Sequence, residues 1–248
     1  MANPKKRPAA SVPEKKPKKR KSAQAKGDPH DDALDTDLGI NTLFARMDQQ
    51  LLADHLAQKT ARFGSDLSTV ELNDLAIQAS CIRDTTSWQT ERTLEHLPAF
   101  LEAFAEKPES LKKVPKEKGS PHTLIVAGAG QRAADIVRAV RSLASSESAV
   151  AKLFAKHFKV QEQVQFLTNK VTGIGVGTPA RLIELMDNGA LSVKGLCHLV
   201  VDASHIDLKK RGVMDTKDTA LSLARLLARQ EFRDRYGDDR KSLALLFY

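Results

Sequence analysis

The chain has 248 residues, of which 41% are apolar, and a formal net charge of +8 at pH 7. These values fit one α/β domain of ordinary size with appendages, and no apolar run approaches the roughly 20 residues that a transmembrane helix needs. The basic, proline-rich start also lacks the apolar stretch of a secretory signal, so we expect a soluble intracellular protein without a membrane partner.

The positive charge is concentrated at the start of the chain. Residues 1–26 contain ten Lys or Arg and one Glu, whereas the remaining residues contain 29 Lys or Arg and 30 Asp or Glu and carry a net charge of −1. Residues 1–37 include several prolines and almost no large apolar side chain, so they have little to bury. A segment of this composition is predicted to be a disordered tail.

Two basic clusters of this tail have the composition of nuclear-localisation signals, which a nuclear import receptor binds on flexible chain. Their residues are Lys5, Lys6, Arg7, Lys15, Lys16, Lys18, Lys19, Arg20 and Lys21. The alternative interpretation is a solvated charge run that keeps the protein soluble. Lysines on flexible chain would also add salt-sensitive affinity for RNA without any sequence preference.

Residues 38–118 are predicted to form a helical region that packs on the domain that follows. Apolar residues at helical spacing and the cap signals before them support this prediction. The predicted elements are a helix over 42–62 with Asn41 as its cap, a short helix opened by a capping box at Ser68 and Glu71, a helix over 90–106, and a lysine-rich surface loop over 107–120.

Residues 119–248 alternate between apolar strands and helices. The predicted strands are 122–127, 150–154, 171–176, 196–201 and 243–247, with helices over 132–143, from Pro179 onward, and over 221–232. The segment 150–154 is ambiguous, because a short apolar run also fits the start of a helix; we favour a strand. This alternation predicts an α/β fold in which helices flank a parallel sheet.

Two strand-to-helix junctions carry polar residues of functional interest. One reads Thr178-Pro179-Ala180-Arg181 after a strand, and proline suits the first position of a helix. The other reads Asp202-Ala203-Ser204-His205. A hydroxyl, free backbone amides and an arginine at a helix start suit a phosphate group. The structural alternative is that Thr178 caps the helix and Arg181 pairs with a nearby acid.

These junctions resemble the first RecA-like lobe of the DEAD-box RNA helicases. In that family a Thr-Pro-Gly-Arg junction grips RNA, and an Asp-Glu-Ala-Asp junction holds magnesium and activates water. Here Ala203 stands at the glutamate position, His205 replaces the last carboxylate, and a Gly-x-x-x-x-Gly-Lys-[Ser/Thr] phosphate loop is absent from the sequence. The resemblance implies a single RecA-like lobe with a degenerate motif at 202–205, without ATPase or helicase activity, cofactor, metal or small-molecule substrate.

The candidate RNA-contacting residues are Thr178, Pro179, Arg181, Gly128, Gly130, Arg132 and Lys156. The turn at Gly128 lies where the helicases have Pro-Thr-Arg-Glu-Leu. It also matches the Gly-x-Gly-x-x-Ala pattern of dinucleotide-binding proteins, so an NAD- or nucleoside-binding enzyme is the rival interpretation. That fold needs an acidic ribose partner after the next strand, where this chain has Lys156.

A closer resemblance is to the Cms family of the early small-subunit pre-ribosome, which is associated with the U-three small nucleolar RNA. The resemblance is carried by residues 53–63, 67–72 and 84–86 in the N-terminal half and by 150–158, 176–181 and 189–192 in the C-terminal half. It implies a nuclear and nucleolar ribosome-biogenesis protein, not an enzyme, whose partners are pre-ribosomal RNA and small-subunit assembly factors. The alternative is a protein-interaction module that contacts RNA only through its basic tail.

Overall fold

A computed structural model describes Met1 and residues 33–156, 158–236 and 243–248, so the predicted localisation clusters lie outside the described residues. The second described segment opens with a small antiparallel hairpin of strands β1 (Leu34–Asp35) and β2 (Ile40–Asn41). Residues 33–37, which were expected to be the end of the disordered tail, belong to this hairpin in the structure. The hairpin is functionally relevant because it covers one of the predicted sites.

A five-stranded parallel sheet forms the centre of the fold, which confirms the predicted fold class. Its strands are β3 (Thr123–Val126), β4 (Ala149–Leu153), β5 (Thr172–Gly177), β6 (His198–Val201) and β7 (Ala244–Phe247). Their order is β4-β5-β3-β6-β7, and every neighbouring pair is parallel. The ambiguous segment 150–154 is therefore part of a strand, as we favoured.

The helices follow the predicted alternation with one addition. In the described residues they are α1 (Gln49–Phe63), α2 (Thr69–Leu75), α3 (Leu97–Phe104), α4 (Gly130–Ala139), α5 (Val160–Asn169), α6 (Pro179–Asp187), α7 (Lys217–Leu227) and α8 (Gln230–Arg233). Helix α5 was not predicted, whereas α2 opens with the predicted capping box and α6 begins at Pro179 as expected. None of these helices has both the length and the apolar character that crossing a membrane requires.

Both faces of the sheet are covered, which explains why its strands are apolar without alternation. Leu124 of β3 packs into a cluster with α1, α6 and α7, whereas its neighbour Ile125 packs on the opposite face with α3 and α4. Each cluster also contains side chains from the helical region 38–118, such as Leu52 in one and Phe100 in the other. The helical region and the sheet therefore share their hydrophobic cores.

The helix predicted over 42–62 is interrupted by a second cap. Asn41 caps a short 3-10 helix over Thr42–Ala45, and the chain then leaves helical geometry. The side chain of Asp48 accepts a hydrogen bond from the Leu51 amide at 2.9 Å and starts α1. Because each cap satisfies amides at the beginning of a helix, two caps divide the segment into two helices.

The helix predicted over 90–106 begins only at Leu97, because Arg92 holds the preceding segment inside the protein. Arg92 Nη1 donates to the carbonyl oxygen of Phe247 at 2.5 Å, and Nη2 donates to the carbonyl oxygen of Thr85 at 3.1 Å. Burial lowers the pKa of this guanidinium to about 10. These side-chain hydrogen bonds tie the segment before α3 to β7 and to Thr85.

The segment before Arg92 covers one edge of the sheet. Ile82 forms a parallel bridge with Leu245 of β7, and the Arg83 amide donates to the carbonyl oxygen of Leu245 at 2.9 Å. This pairing provides hydrogen-bond partners for backbone groups of the edge strand β7 that would otherwise be unpaired.

Candidate functional site

The predicted site residues converge at one edge of the sheet. In a parallel sheet the carboxyl ends of all strands lie on the same side, here called the carboxyl edge. The turns that follow β3, β4, β5 and β6 bring four groups of candidates to it. These groups are Gly128, Gly130 and Arg132; Lys156; Thr178, Pro179 and Arg181; and Asp202 to His205.

Arg132 is bound to the remaining acidic residue of the degenerate motif. Its Nε lies 2.8 Å from Oδ2 of Asp202, and its Nη2 lies 2.9 Å from Oδ1. The Asp202 side chain is 2% exposed and the Arg132 side chain 10%. Burial acts to lower the pKa of Arg132, but the carboxylate outweighs burial and the pKa is raised. Because the guanidinium of Arg132 already binds the Asp202 carboxylate, it is not available to bind a phosphate.

The N-terminal hairpin covers the degenerate motif. The Asn41 amide donates to the carbonyl oxygen of Ser204 at 2.7 Å, and the Ile206 amide donates to the carbonyl oxygen of Gly39 at 2.9 Å. Gly39 has a φ of +66°, which suits glycine at the tip of the hairpin. The chain that would carry catalytic acids in a helicase is therefore held as a strand-like partner of the hairpin.

Ala203 and His205 both lack the carboxylate that the helicases have at these positions. Ala203 is 1% exposed and belongs to the hydrophobic core. Burial lowers the pKa of His205, helped by the nearby Arg132, so the imidazole is held neutral. Among the described residues no group of three or more His, Cys, Asp or Glu is arranged to hold a metal ion.

Arg181 also uses its charge within the protein. Its Nη1 donates to Oε1 of Gln163 at 2.6 Å and to the carbonyl oxygen of Phe158 at 3.2 Å, and its Nε lies 2.9 Å from a carboxylate oxygen of Glu184. Gln163 is buried and donates in turn to the carbonyl oxygen of Phe154 at 3.0 Å. This network ties α6 to α5 and agrees with the structural alternative that Arg181 pairs with an acid.

The start of α6 remains accessible next to this network. Thr178 occupies the N-cap position and is half-buried, but its side chain makes no capping hydrogen bond. Pro179 is buried, and Ala180 is exposed. Lys156, on the neighbouring turn, is exposed and donates to Oε1 of Gln131 at 3.0 Å. Of the three cations predicted to contact RNA, Lys156 alone has no carboxylate partner within the described residues.

The glycine turn after β3 is filled by the protein itself. A Cβ on Gly128 would lie 3.1 Å from Cα of Val213, and a Cβ on Gly130 would lie 3.0 Å from Cβ of Lys156 and 3.4 Å from the ring of Phe154. In dinucleotide-binding folds the glycines leave this space for a pyrophosphate. Here the space contains side chains of neighbouring loops, which weighs against the rival NAD- or nucleoside-binding interpretation.

Sequence reasoning missed the internal roles of Arg92 and Gln163. Nothing in the sequence links Gln163 to Arg181. Arg92 carried no signal beyond an arginine in a predicted helix. Both are buried polar residues whose partners are distant in sequence, so only the folded chain reveals them.

A five-stranded parallel sheet in this order, flanked by helices and bearing these two junctions, defines a RecA-like lobe. Residues 2–248 match the protein family described as the U3-containing 90S pre-ribosomal complex subunit, CMS1. The chain belongs to this family, which confirms the resemblance inferred from residues 53–63 and 176–181. Family membership supports a role in ribosome biogenesis.

Similar proteins from fungi and vertebrates are named CMS1 or CMSS1. The chain is 60% identical to Protein CMS1 of Chaetomium thermophilum over 236 residues, which are 95% of this chain and 93% of that protein. It is 30% identical to Protein cms1 of Schizosaccharomyces pombe over 168 residues, 68% of this chain and 59% of that protein. It is 33% identical to Protein CMSS1 of Homo sapiens over 180 residues, 72% of this chain and 60% of that protein.

Among solved structures, the lobe is similar to helicases of low sequence identity. A DEAD box protein from Methanococcus jannaschii gives a TM-score of 0.41 at 17% identity and covers 64% of this chain and 37% of that one. The yeast DEAD-box splicing factor Prp28 gives a TM-score of 0.42 at 16% identity and covers 60% of this chain and 31% of that one.

Proposed function

We propose that this protein is a non-enzymatic assembly factor of the small-subunit pre-ribosome. It acts in the nucleolus and binds pre-ribosomal RNA or assembly proteins through its RecA-like lobe. Membership in a family of 90S pre-ribosomal subunits supports both the assignment to the pre-ribosomal particle and the location in the nucleolus. The observation that carries the non-enzymatic part is the buried pair of Arg132 and Asp202.

Hydrolysis of a nucleoside triphosphate needs a phosphate cradle, bound magnesium and a residue that orients water. Both carboxylate oxygens of Asp202 accept hydrogen bonds from Arg132, whose positive charge opposes the approach of a metal cation. Ala203 contributes a buried methyl group where a base would stand. The lobe therefore acts as a binding surface in this proposal, and its former catalytic edge serves stability.

Within the carboxyl edge, the accessible start of α6 is the part that fits RNA best. Thr178 offers a hydroxyl, and the helix start offers amides beside the exposed Lys156. Arg181 contributes from inside by fixing α6 against α5. Arg181 is thus a positioning residue for the edge, whereas Thr178 and Lys156 supply the contact.

The basic tail gives the protein its import signal and a non-specific attraction to RNA in this proposal. Its clusters lie outside the described residues, so their support is the sequence alone. A reporter fused to residues 1–32 is expected to enter the nucleus. Replacement of Lys18, Lys19, Arg20 and Lys21 by alanine should leave the reporter in the cytoplasm.

Affinity purification of the tagged full chain, followed by RNA crosslinking, tests the proposal as a whole. We expect small-subunit precursor RNA and assembly proteins to co-purify, and ATP turnover by the purified protein to stay at the background of a no-protein control. Recovery of mature cytoplasmic ribosomes without precursor RNA would contradict the assembly role. ATP turnover above background would contradict the non-enzymatic role.

A second candidate function is a protein-interaction module whose RNA contact is confined to the tail. The internal use of Arg132 and Arg181 favours it, because these cations are not available to phosphate. Deletion of residues 1–32 separates the two candidates and leaves the hairpin intact. RNA affinity of the truncated chain supports contact by the lobe, and its complete loss supports the second candidate.

A further inference from the structure

A surface with a strong positive charge lies at the end of the sheet opposite to the carboxyl edge. A groove of about 440 Å³ opens near the hairpin, but the larger groove, of about 830 Å³, runs along the amino ends of β3, β6 and β7. His122, Cys197 and Ala244, at the starts of these strands, form its floor. We call it the amino-edge groove. The strand length separates it from the carboxyl edge by about 13 Å.

The walls of the amino-edge groove carry an excess of cations. Its described lining includes six basic side chains and two acidic ones, Glu106 and Glu117, so its net charge is +4 with neutral histidines. The basic residues are Arg83, Lys107, Lys113, Lys116, Lys194 and Arg235. The chain outside the first 26 residues has a net charge of −1, so this concentration does not follow from overall composition.

The backbone of both walls is fixed, whereas the lysine side chains are not engaged. Arg83 Nη1 donates to the carbonyl oxygen of Phe104 at 3.1 Å, and Arg235 donates to the carbonyl oxygens of Val193 and Leu196. The Gly195 amide donates to Oγ of Ser120 at 3.1 Å. The groove is therefore a formed feature of the fold.

Four lysines project from this frame. Lys107, Lys113, Lys116 and Lys194 are exposed, and within the described residues their ammonium groups form no hydrogen bond and have no carboxylate partner. Leu111, which is 2% exposed, anchors the 3-10 helix Pro108–Lys112 between the first two of them. The ammonium groups of Lys107 and Lys113 are thus presented on an anchored segment.

The chemistry of the lining distinguishes between two polyanions, an acidic protein surface and the backbone of RNA. Protein interfaces are depleted in lysine and depend on apolar or aromatic anchors. The groove has four free lysines and no aromatic ring other than imidazole among its described lining residues. Lysine ammonium groups are point charges that bind phosphates in varied positions, and without stacking platforms a site reads the backbone and not the bases.

We propose that the amino-edge groove binds the sugar-phosphate backbone of RNA without sequence preference. Phosphates contact the lysines of the 107–116 segment and Lys194, which line the same groove. The choice of RNA as the polyanion rests on the proposed function in an RNA-rich particle. All lining residues lie between positions 83 and 244 and at the opposite end of the sheet from the carboxyl edge, so the groove gives the described domain an RNA contact of its own.

The test compares two variants of the full chain with the same charge. The groove variant carries Lys107→Gln, Lys113→Gln, Lys116→Gln and Lys194→Gln. The control variant carries Lys112→Gln, Lys118→Gln, Lys170→Gln and Lys209→Gln, which are exposed lysines outside the lining, two of them in the same segment. Affinity for a short uridine oligonucleotide is measured over a range of salt concentrations by fluorescence anisotropy.

Each phosphate neutralised on a single strand contributes about 0.7 to the slope of log affinity against log salt. If the four lysines each bind one phosphate, the slope of the groove variant falls by about 3, and that of the control variant changes by less than about 1. A charge-conserving variant with arginine at the four groove positions should retain the wild-type slope. Thermal unfolding of all variants checks that each is folded.

Equal slopes for the groove and control variants would overturn the inference. So would a groove variant that keeps its affinity for RNA but no longer sediments with pre-ribosomal particles, because that result assigns the groove to a protein partner. The oligonucleotide measurement needs no particle. Failure of the proposed function, seen as absence of the wild-type chain from precursor particles, is therefore distinguishable from failure of the groove.

Discussion

The guanidinium of Arg132 holds both carboxylate oxygens of Asp202, at 2.8 and 2.9 Å, although the two residues are 70 positions apart. Asp202 follows β6, and Arg132 lies in the first turn of the helix after the neighbouring strand β3. The pair therefore links two strand-to-helix turns at the carboxyl edge. In the proposed function Asp202, at a position where the helicases have a catalytic acid, therefore has a structural role.

Breaking this pair from one side is expected to destabilise the protein strongly. Asp202→Asn leaves the guanidinium of Arg132 without its counter-charge in a buried site, which costs about 3–5 kcal/mol of the free energy of unfolding. The measurement is urea unfolding followed by circular dichroism. The matched control is Asp207→Asn, which breaks the exposed pair with Arg211 and should cost less than about 1 kcal/mol.

The double variant Arg132→Met and Asp202→Leu sharpens this prediction. It removes both charges and fills the space with apolar groups, so its stability should exceed that of Asp202→Asn. If Asp202→Asn lowers the free energy of unfolding no more than the surface control Asp207→Asn does, the buried pair does not stabilise the carboxyl edge.

Restoring the missing glutamate is expected to disrupt the fold and not to create an ATPase. Ala203 is 1% exposed within the hydrophobic core, so Ala203→Glu buries an unpaired carboxylate. We expect a loss of several kcal/mol in the free energy of unfolding and ATP turnover at background. Ala155→Glu, at an exposed position, is the control and should unfold like the wild type. A stable Ala203→Glu protein that hydrolyses ATP would refute this prediction.

The parallel sheet was predictable from the sequence because local pattern and tertiary environment agree there. Strands β3 and β6 are buried on both faces, so uninterrupted apolar runs such as Leu124-Ile125-Val126 mark them without ambiguity. The start of α6 was predictable because Pro179 fits the first helical position. Helix α5 was missed because its polar residues outnumber its apolar ones and its buried contacts include Gln163.

The candidate site was predictable only as a set of turns. The alternation of strands and helices brings Gly128, Lys156, Thr178 and Asp202 to one edge, as the parallel topology requires. The sequence does not tell which side chains face solvent, because that depends on partners far along the chain. Thus Arg132 and Arg181 look like free cations in the sequence and are internally paired in the structure.

The hydrogen bonds between Gln163 and Arg181 are expected to stabilise the carboxyl edge. Gln163→Leu leaves Nη1 of Arg181 and the carbonyl oxygen of Phe154 without this partner in a buried site, at a cost of about 1–3 kcal/mol. Gln161→Leu, an exposed position on the same helix, serves as the control in the same thermal unfolding experiment. Equal melting temperatures for the two variants would show that the network contributes nothing to stability.

A negative charge at the start of α6 is expected to repel RNA without loss of stability. Ala180 is exposed beside Thr178, and a glutamate in the first turn of a helix interacts favourably with the helix dipole. Ala180→Glu should therefore retain its melting temperature and lose RNA crosslinks at this edge when residues 1–32 are deleted. Ala180→Gln is the matched neutral control and should keep the crosslinks. Unchanged crosslinking of Ala180→Glu would remove this edge as an RNA contact.

Stability is expected to fall with acidification because of two histidines that line the amino-edge groove, the half-buried His122 and the buried His198. Burial, together with the neighbouring His198, lowers the pKa of His122 to about 4, and burial together with Arg83 lowers the pKa of His198. Since the folded state holds these rings neutral, the unfolded chain binds more protons below its ordinary histidine pKa of 6.5. Their contribution is fully present above that value and is lost as the pH falls toward about 4.

Between about pH 7 and about pH 5 the loss from His122 should amount to about 2 kcal/mol in the free energy of unfolding, measured by urea titration at each pH. The variant His122→Gln removes this titration, so its stability should change less over the same interval. NMR titration of the His122 ring supplies its folded pKa directly. A variant whose stability falls as steeply as that of the wild type would show that the acid sensitivity arises elsewhere.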